Sequence, residues 1–183
     1  MNFIKTFIDG VIRIEPKRFQ DKRGFFSETY NLKVFQDFGI DSIFIQDNHS
    51  LSNKVGTVRG LHFQKEPFGQ AKLVKCSKGK IFDVVVDLRK NSSSYGKWYG
   101  IELSPENGIQ LFIPVGLAHG FMTLEPDTEI TYKCSNIYSP SSEGSLRWDD
   151  PDIDIDWPLN TNPSISEKDS SAPFFANFKT PFL

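Results

Sequence analysis

Nine short runs rich in β-branched and aromatic residues, each closed off by turn residues, leave this chain few folds to adopt. They cover residues 11–16, 43–50, 57–64, 71–77, 80–89, 97–103, 109–114, 119–124 and 128–138. Runs of this length and spacing predict an antiparallel sandwich or barrel. Seventeen phenylalanines, five tyrosines and three tryptophans make up 14% of the 183 residues. They fall within the short runs and not at helical spacing, which again favours strands. In Ile81-Phe82-Asp83-Val84-Val85-Val86-Asp87-Leu88 one face collects Phe82, Val84, Val86 and Leu88, and the other carries Asp83 and Asp87. A half-polar face turned inward would line a cavity, although a plain solvent face gives the same alternation more often.

A single domain over residues 1–183 is expected, since a chain of this length buries a continuous core without staples. One short helix is predicted: Asn31 is an N-cap type, Leu32, Phe35 and Phe38 follow at near-helical spacing, and Gly39 stops it. Beyond Trp148 the sequence becomes turn-rich, with Asp-Asp-Pro-Asp, Asp156-Trp157-Pro158 and Asn162-Pro163. Such a tail cannot enter a central sheet and is expected to wrap the barrel.

The charge balance, 21 Lys and Arg against 23 Asp and Glu, gives a net charge of -2. No overall basic field exists to hold nucleic acid or an anionic membrane, so any anion site must be local. No run of about 18 apolar residues suits a membrane span. The start Met1-Asn2-Phe3-Ile4-Lys5 lacks the pattern of a signal peptide, and a cytoplasmic protein is expected. Cys76 and Cys134 belong to no C-x-x-C pair. They read as buried free thiols of a reducing compartment, with a disulfide left open because sequence cannot measure their separation.

The three histidines, His49, His62 and His119, can be weighed one by one. His62 lies in Val58-Arg59-Gly60-Leu61-His62-Phe63-Gln64, where a β-run holds a glycine and a strong cation near an imidazole. Alone it reads equally as a structural and as a functional group. His119 closes the turn Pro114-Val115-Gly116-Leu117-Ala118-His119, which resembles the second motif of the cupin superfamily. Many cupins hold a metal through His-x-His, a glutamate and a further histidine. Here the matching stretch is His62-Phe63-Gln64, one histidine short of the usual three-ligand set, and a metal-free pocket is expected. Asp83 or Glu125 completing a ligand set is the alternative. Lys72 shares its strand face with Val74 and Cys76, an apolar setting that asks for a partner or a function. Tyr132, between Ile130 and Cys134, also faces inward, as a satisfied core tyrosine more often does. Arg23 and Arg59 are the candidate anion clamps in a chain without a Gly-rich phosphate loop, though each alone is more often a surface arginine.

Taken together, residues 21–30, 46–50, 59–64, 70–74, 114–121, 132–134, Tyr138, 148–151 and 166–169 resemble the dTDP-4-dehydrorhamnose 3,5-epimerases, in the order of that family and over nearly the whole chain. The resemblance implies an all-β cupin-type double-stranded β-helix, or jelly-roll barrel, with a few short helices and a wrapping C-terminal tail. It implies a cofactor-independent isomerase acting on a dTDP-sugar, with no metal. His62 would be the general base, oriented by Asp169; Lys72 would stabilise the enolate, and Tyr132 would donate the proton on the opposite face. Arg23 and Arg59 would hold the diphosphate, with Glu28, Gln46, Asn48, His119, Glu143 and Lys168 completing the substrate site. Tyr138 would stack on the thymine or sugar region, with Phe26 and Phe19 as lesser contributors. Family members are homodimers in which a strand of one subunit joins the sheet of the other, so parts of each pocket are shared. Phe63 stands where many members carry tyrosine, and Phe26 where many carry tryptophan.

Related enzymes that invert only carbon 3, or that move the ketone from carbon 4 to carbon 3, are the enzymatic alternatives. A metal-dependent cupin and a non-catalytic sugar-nucleotide binder are the readings from other classes. One difficulty is built into the strand pattern: Arg59 and His62 are three residues apart, so strict alternation would put them on opposite faces. A bulge or bend at Gly60 is therefore expected.

Overall fold

A computed structural model describes residues 1–158 and 162–183; part of the wrapping tail, residues 159–161, lies outside the described residues. All nine runs form strands. In chain order the strands are β1 (Asn2–Lys5), β2 (Ile12–Glu15), β3 (Phe19–Asp21), β4 (Gly24–Phe26), β5 (Gln46–Ser52), β6 (Val58–Gln64), β7 (Lys72–Lys78), β8 (Ile81–Asp87), β9 (Trp98–Leu103), β10 (Gln110–Ile113), β11 (Leu117–Thr123), β12 (Thr128–Cys134) and β13 (Glu143–Ser145). The helices α1 (Leu32–Asp37) and α2 (Glu167–Ser170) are short.

The pairing is nested and antiparallel: β8 with β9, β7 with β10, β6 with β11, and β5 with β12. Alternate pairs of this folded ribbon fall in alternate sheets. One sheet runs β1-β2-β10-β7-β12-β5 and the other β13-β6-β11-β8-β9. This is the jelly-roll barrel that the resemblance implied.

Three apolar clusters hold it together. Val74, Ile81, Val85, Leu111, Phe121 and Ile130 pack between the sheets. Ile12, Ile14, Leu73 and Phe112 on the outer face of the six-stranded sheet are covered by Phe35 of α1. That helix is capped as its sequence requires, the Asn31 side chain accepting from the Lys33 and Val34 amides, and Gly39 leaves it at φ +94°. The tail covers the other outer face, where Trp157 and Phe182 close over Val84, Val86, Leu88 and Met122. The alternation of β8 is thereby resolved. Its apolar face meets the tail, and its half-polar face, with Asp83 and Asp87 fully buried, turns into the barrel.

The tail touches the sheet through one parallel bridge, Thr57 with Ser164, and then turns into α2. Ser166 caps that turn by accepting from the Asp169 amide. Cys76 and Cys134 are both buried and free, and burial pushes the Cys76 thiol up to about 11. No helix among the described residues is long and apolar enough to cross a membrane.

Candidate active site

The cavity at the end of the barrel depends on an irregularity in β6. On β11, His119 stands opposite His62 and Phe121 opposite Arg59, so three steps along β6 match two along β11. The register shift lies at Gly60, whose φ is +132°. A Cβ at this glycine would come within 2.5 Å of the Gly120 Cα and 2.9 Å of the His119 carbonyl oxygen. Only a residue without a side chain fits such a bulge against so close a neighbour. The consequence is that Arg59 and His62 line the same cavity despite their odd spacing.

That cavity, of about 490 Å³, also receives Lys72 from β7, His119 from β11, Tyr132 from β12, and Lys168 and Asp169 from α2. A second hollow of about 350 Å³ shares His62, Lys72 and Tyr132 and adds Gln46, Asn48, Tyr138 and Glu143. Three side chains thus stand between two connected halves.

His62 Nε2 lies 2.7 Å from Asp169 Oδ1, and the carboxylate also accepts from the Gly60 amide at 3.3 Å. Burial raises the pKa of Asp169, but the bond and charge of His62, with the Gly60 and Ser166 donors, outweigh it and hold the carboxyl below its ordinary range. His62 keeps about a third of its side chain exposed and Asp169 is buried. An imidazole in this setting can take a proton from the cavity while its partner fixes the tautomer.

Lys72 is pulled down chiefly by burial, with Cys134, Asp83 and Glu143 pulling the other way. The Tyr132 hydroxyl is raised, first by burial and then by Cys134, with Arg59 opposing, so the phenol stays protonated at neutral pH. His119 Nε2 meets Asp83 Oδ1 at 2.8 Å. At the mouth, Lys168 Nζ is 2.6 Å from Glu143 Oε2, which also accepts from the Tyr138 hydroxyl at 3.1 Å. Burial raises Glu143, but the bond and charge of Lys168 and the Tyr138 hydroxyl bring its pKa below the ordinary value. Gln46 bonds Asn48 and accepts from the Tyr138 amide. The guanidinium of Arg59 is braced by Ser52 Oγ and the Leu51 carbonyl, both at 3.1 Å.

Eleven of the expected site residues therefore converge: His62, Tyr132, Lys72, Asp169, Gln46, Asn48, Arg59, His119, Tyr138, Glu143 and Lys168. Arg23, Phe26 and Glu28 do not. Arg23, at the tip of the β3–β4 hairpin, is paired with Asp21 and leaves 83% of its side chain exposed. Phe26 is 71% exposed, and Glu28 accepts from its near neighbour Asn31 at 3.3 Å. Of the candidate ligands, Asp83 pairs with His119, whereas Glu125 stands near Lys80 on the surface. Among the described residues no three ligating side chains cluster.

Ser50, Thr57, Ser164 and Ser166 also line the cavity and went unnoticed in the sequence. Ser50 was within reach of period-2 reasoning, two residues beyond Asn48 on the same strand face. Ser164 and Ser166 reach the cavity only because the tail crosses β6, which no local pattern announces.

Known proteins resemble this chain over nearly its whole length. A family model described as dTDP-4-dehydrorhamnose 3,5-epimerase matches residues 5–177. The dTDP-4-dehydrorhamnose 3,5-epimerase of Salmonella typhimurium is 52% identical over 174 residues, covering 94% of this chain and 94% of the relative. That of Sinorhizobium fredii is 51% identical over 182 residues, covering 100% of this chain and 93% of the relative. The crystal structure of dTDP-6-deoxy-D-glucose-3,5-epimerase from Legionella pneumophila in complex with dTDP-4-keto-L-rhamnose superposes with a TM-score of 0.93 at 43% identity, covering 97% of this chain and 94% of that one.

Proposed function

The chain belongs to the dTDP-4-dehydrorhamnose 3,5-epimerase family, and we propose that it converts dTDP-4-dehydro-6-deoxy-D-glucose into dTDP-4-dehydro-L-rhamnose by inverting carbons 3 and 5. The observation that carries this reading is the His62–Asp169 pair, 2.7 Å across, opening onto a cavity that Lys72 and Tyr132 also enter.

The ketone at carbon 4 acidifies the hydrogens on both neighbouring carbons, because the carbanion left behind is an enolate with its charge on oxygen. The substrate supplies its own electron sink, so the chemistry calls for no cofactor. His62 removes the proton, and Asp169 behind it favours the imidazolium that forms. The ammonium of Lys72 beside the ketone oxygen attracts the enolate more strongly than the neutral ketone, which lowers the barrier. A donor of this kind typically contributes about 2.7–4 kcal/mol. Tyr132 delivers a proton from the face opposite the base, and the configuration inverts. Arg59, with Arg23, holds the diphosphate, Lys168 helps complete the substrate site, and Tyr138 stacks on the thymine or sugar region.

We also assign the assembly as a cytoplasmic homodimer in which the β3–β4 hairpin of one subunit completes the pocket of the other. Phe19, Phe25 and Phe26 leave 54%, 57% and 71% of their surface exposed on this hairpin, an apolar load that a second copy would cover. Arg23, Phe26 and Glu28 then supply phosphate and base contacts in trans.

The test is NMR of the dTDP-4-dehydro-6-deoxy sugar in deuterated water with catalytic amounts of the protein. Deuterium at carbons 3 and 5 with rhamno product is the expected result. Deuterium at carbon 3 alone would replace the assignment by a 3-epimerase, and a carbonyl moved to carbon 3 by a ketoisomerase. No exchange at either carbon would leave a binder.

A further inference from the structure

His62 and Asp169 must stay in register with each other, yet they are mounted on very different supports. His62 belongs to β6, which is paired on both sides, by β11 and by β13. Asp169 belongs to α2, a helix of four residues, too short to hold itself. Among the described residues, the tail leading into α2 meets the sheet through one parallel bridge, at Ser164. A carboxylate that has to sit 2.7 Å from the His62 Nε2 needs a further brace.

The end of β13 and the residues after it supply one. Ser145 stands opposite His62 in the β6–β13 ladder, and Leu146 exchanges backbone hydrogen bonds with Leu61 at 3.0 and 3.2 Å. The next residue, Arg147, turns to the tail. Its amide donates to the Pro173 carbonyl at 3.0 Å, and its Nη1 donates to the carbonyl of Ser170, the last residue of α2 and the neighbour of Asp169. The final carbonyls of a helix have no partner within it, so this one needs an outside donor.

The guanidinium is itself aimed. Nε and Nη2 fork onto the Asp149 carboxylate at 2.7 and 3.0 Å, and the group lies over the Phe174 ring, 5.0 Å from its centroid. An ion pair as open as this one, with side chains 26% and 37% exposed, adds little stability by itself. What it does is lock a planar fork with Nη1 directed at α2. Lys168 of the same helix pairs with Glu143 of β13 at 2.6 Å, and both of these line the cavity. Arg147 lines neither half of it, so it acts on the reaction only through what it holds.

We propose that Arg147 is a positioning residue for this reaction: residues 145–147 carry both halves of the dyad, His62 by strand pairing and Asp169 by the grip of Arg147 on α2, and this common mount sets the tautomer of the base. The inference rests on the epimerase reading of the cavity. Its physical content is that a misplacement of about 1 Å can cost about 10²-fold in rate. Without a carboxylate in bonding range, the imidazole is also free to carry its proton on either nitrogen.

Arg147→Met keeps the apolar stem and removes the fork. In the substrate-free protein, at a pH where the ring is neutral, 15N NMR of His62, assigned by its loss in His62→Asn, should find the proton on Nε2 in the wild type and shared between both nitrogens in the variant. In steady-state assays kcat should fall by about tenfold or more, while KM changes by less than about threefold. Added to Asp169→Asn, the same substitution should lower kcat by less than about twofold further, because the group it positions is already lost. Losses that multiply in the double variant, an unchanged tautomer, or wild-type kcat would each overturn the proposal. Should Arg147→Met not fold, Arg147→Lys decides: the charge remains but the fork does not, so the same pattern should appear with a kcat loss of about three- to tenfold. A lysine variant with wild-type kcat, or with a loss that persists beside Asp169→Asn, would overturn it equally. The tautomer is read without substrate, so the expected tautomer change in a protein whose wild type exchanges no substrate deuterium would refute the epimerase reading alone.

Discussion

The histidines of the two histidine–aspartate pairs share one sheet, and the pairs nearly one distance, 2.7 Å for His62–Asp169 and 2.8 Å for His119–Asp83, yet they are built for different work. Asp169 arrives from the tail, and its histidine leaves 32% of its side chain open; Asp83 is part of a central strand, and its histidine leaves 7%. Exposure separates them more than geometry does. A ring open to the cavity can accept a proton and return it to solvent, whereas a buried ring is held neutral by the cost of desolvating its cation. The sequence motif around a histidine says little about which case applies, because the partner and the cover come from elsewhere in the chain.

The sharpest way to break this comparison is to remove each imidazole in turn. His62→Asn should lower turnover by about 10²–10⁴-fold, the usual contribution of a general base. His119→Asn should act mainly on KM, with kcat falling by less than about tenfold, as steady-state assays of both variants would establish. Equal losses of kcat would erase the distinction drawn between the pairs. Next in size is Asp169→Asn. The amide can no longer enforce the tautomer of His62, and kcat should fall by about 10²-fold or more with KM nearly unchanged.

Gly60→Ala tests the shared foundation, because both pairs meet across this bulge. With the Gly120 backbone 2.5 Å from the new methyl carbon, the substitution should cost about 1–3 kcal/mol in urea unfolding and lower activity by displacing Arg59 and His62. A variant as stable and active as the parent would mean that β6 does not need its irregularity.

The smallest effect is on stability against pH. Burial lowers the folded-state pKa of His119 from 6.5, so the unfolded chain binds the extra proton first. Its contribution should be complete above about pH 6.5 and decline as the pH falls from there toward the folded pKa. A separate loss belongs to Asp87. Burial raises this carboxyl, but Arg89, Ser92 and Ser94 overcome it and bring it to about 2. Its share is present above the ordinary 3.8 and is lost as the pH falls toward 2. His119→Asn should abolish the upper decline in pH-dependent thermal unfolding and leave the lower one.

Much of this molecule was legible in its sequence, for reasons that differ by region. The nine strands announce themselves through period-2 patterning and turn residues, and the cap at Asn31 through its side chain chemistry. The strands β3, β4 and β13 have three residues each, too short for a period to register. Helix α2, four residues long, has the same difficulty. His62 and Asp169 are 107 positions apart, so the bond between them follows from the tail's path and not from any local pattern. The resemblance to a family supplied it where patterning could not. Gly60 was legible through a conflict: two residues needed on one face at an odd spacing, with a glycine between them. Arg23, Phe26 and Glu28 belong to a different class, since one chain alone does not bring them to its own cavity.

The central claim is that one imidazole removes protons on one face and one phenol returns them on the other. Deuterium incorporation by Tyr132→Phe tests it most directly. The base is intact in this variant and open to solvent, so the sugar should take up deuterium at carbons 3 and 5 with its original configuration, and form rhamno product at least about 10²-fold more slowly than the wild type. Inversion at the wild-type rate, or no deuterium at either carbon in a folded variant, would contradict it.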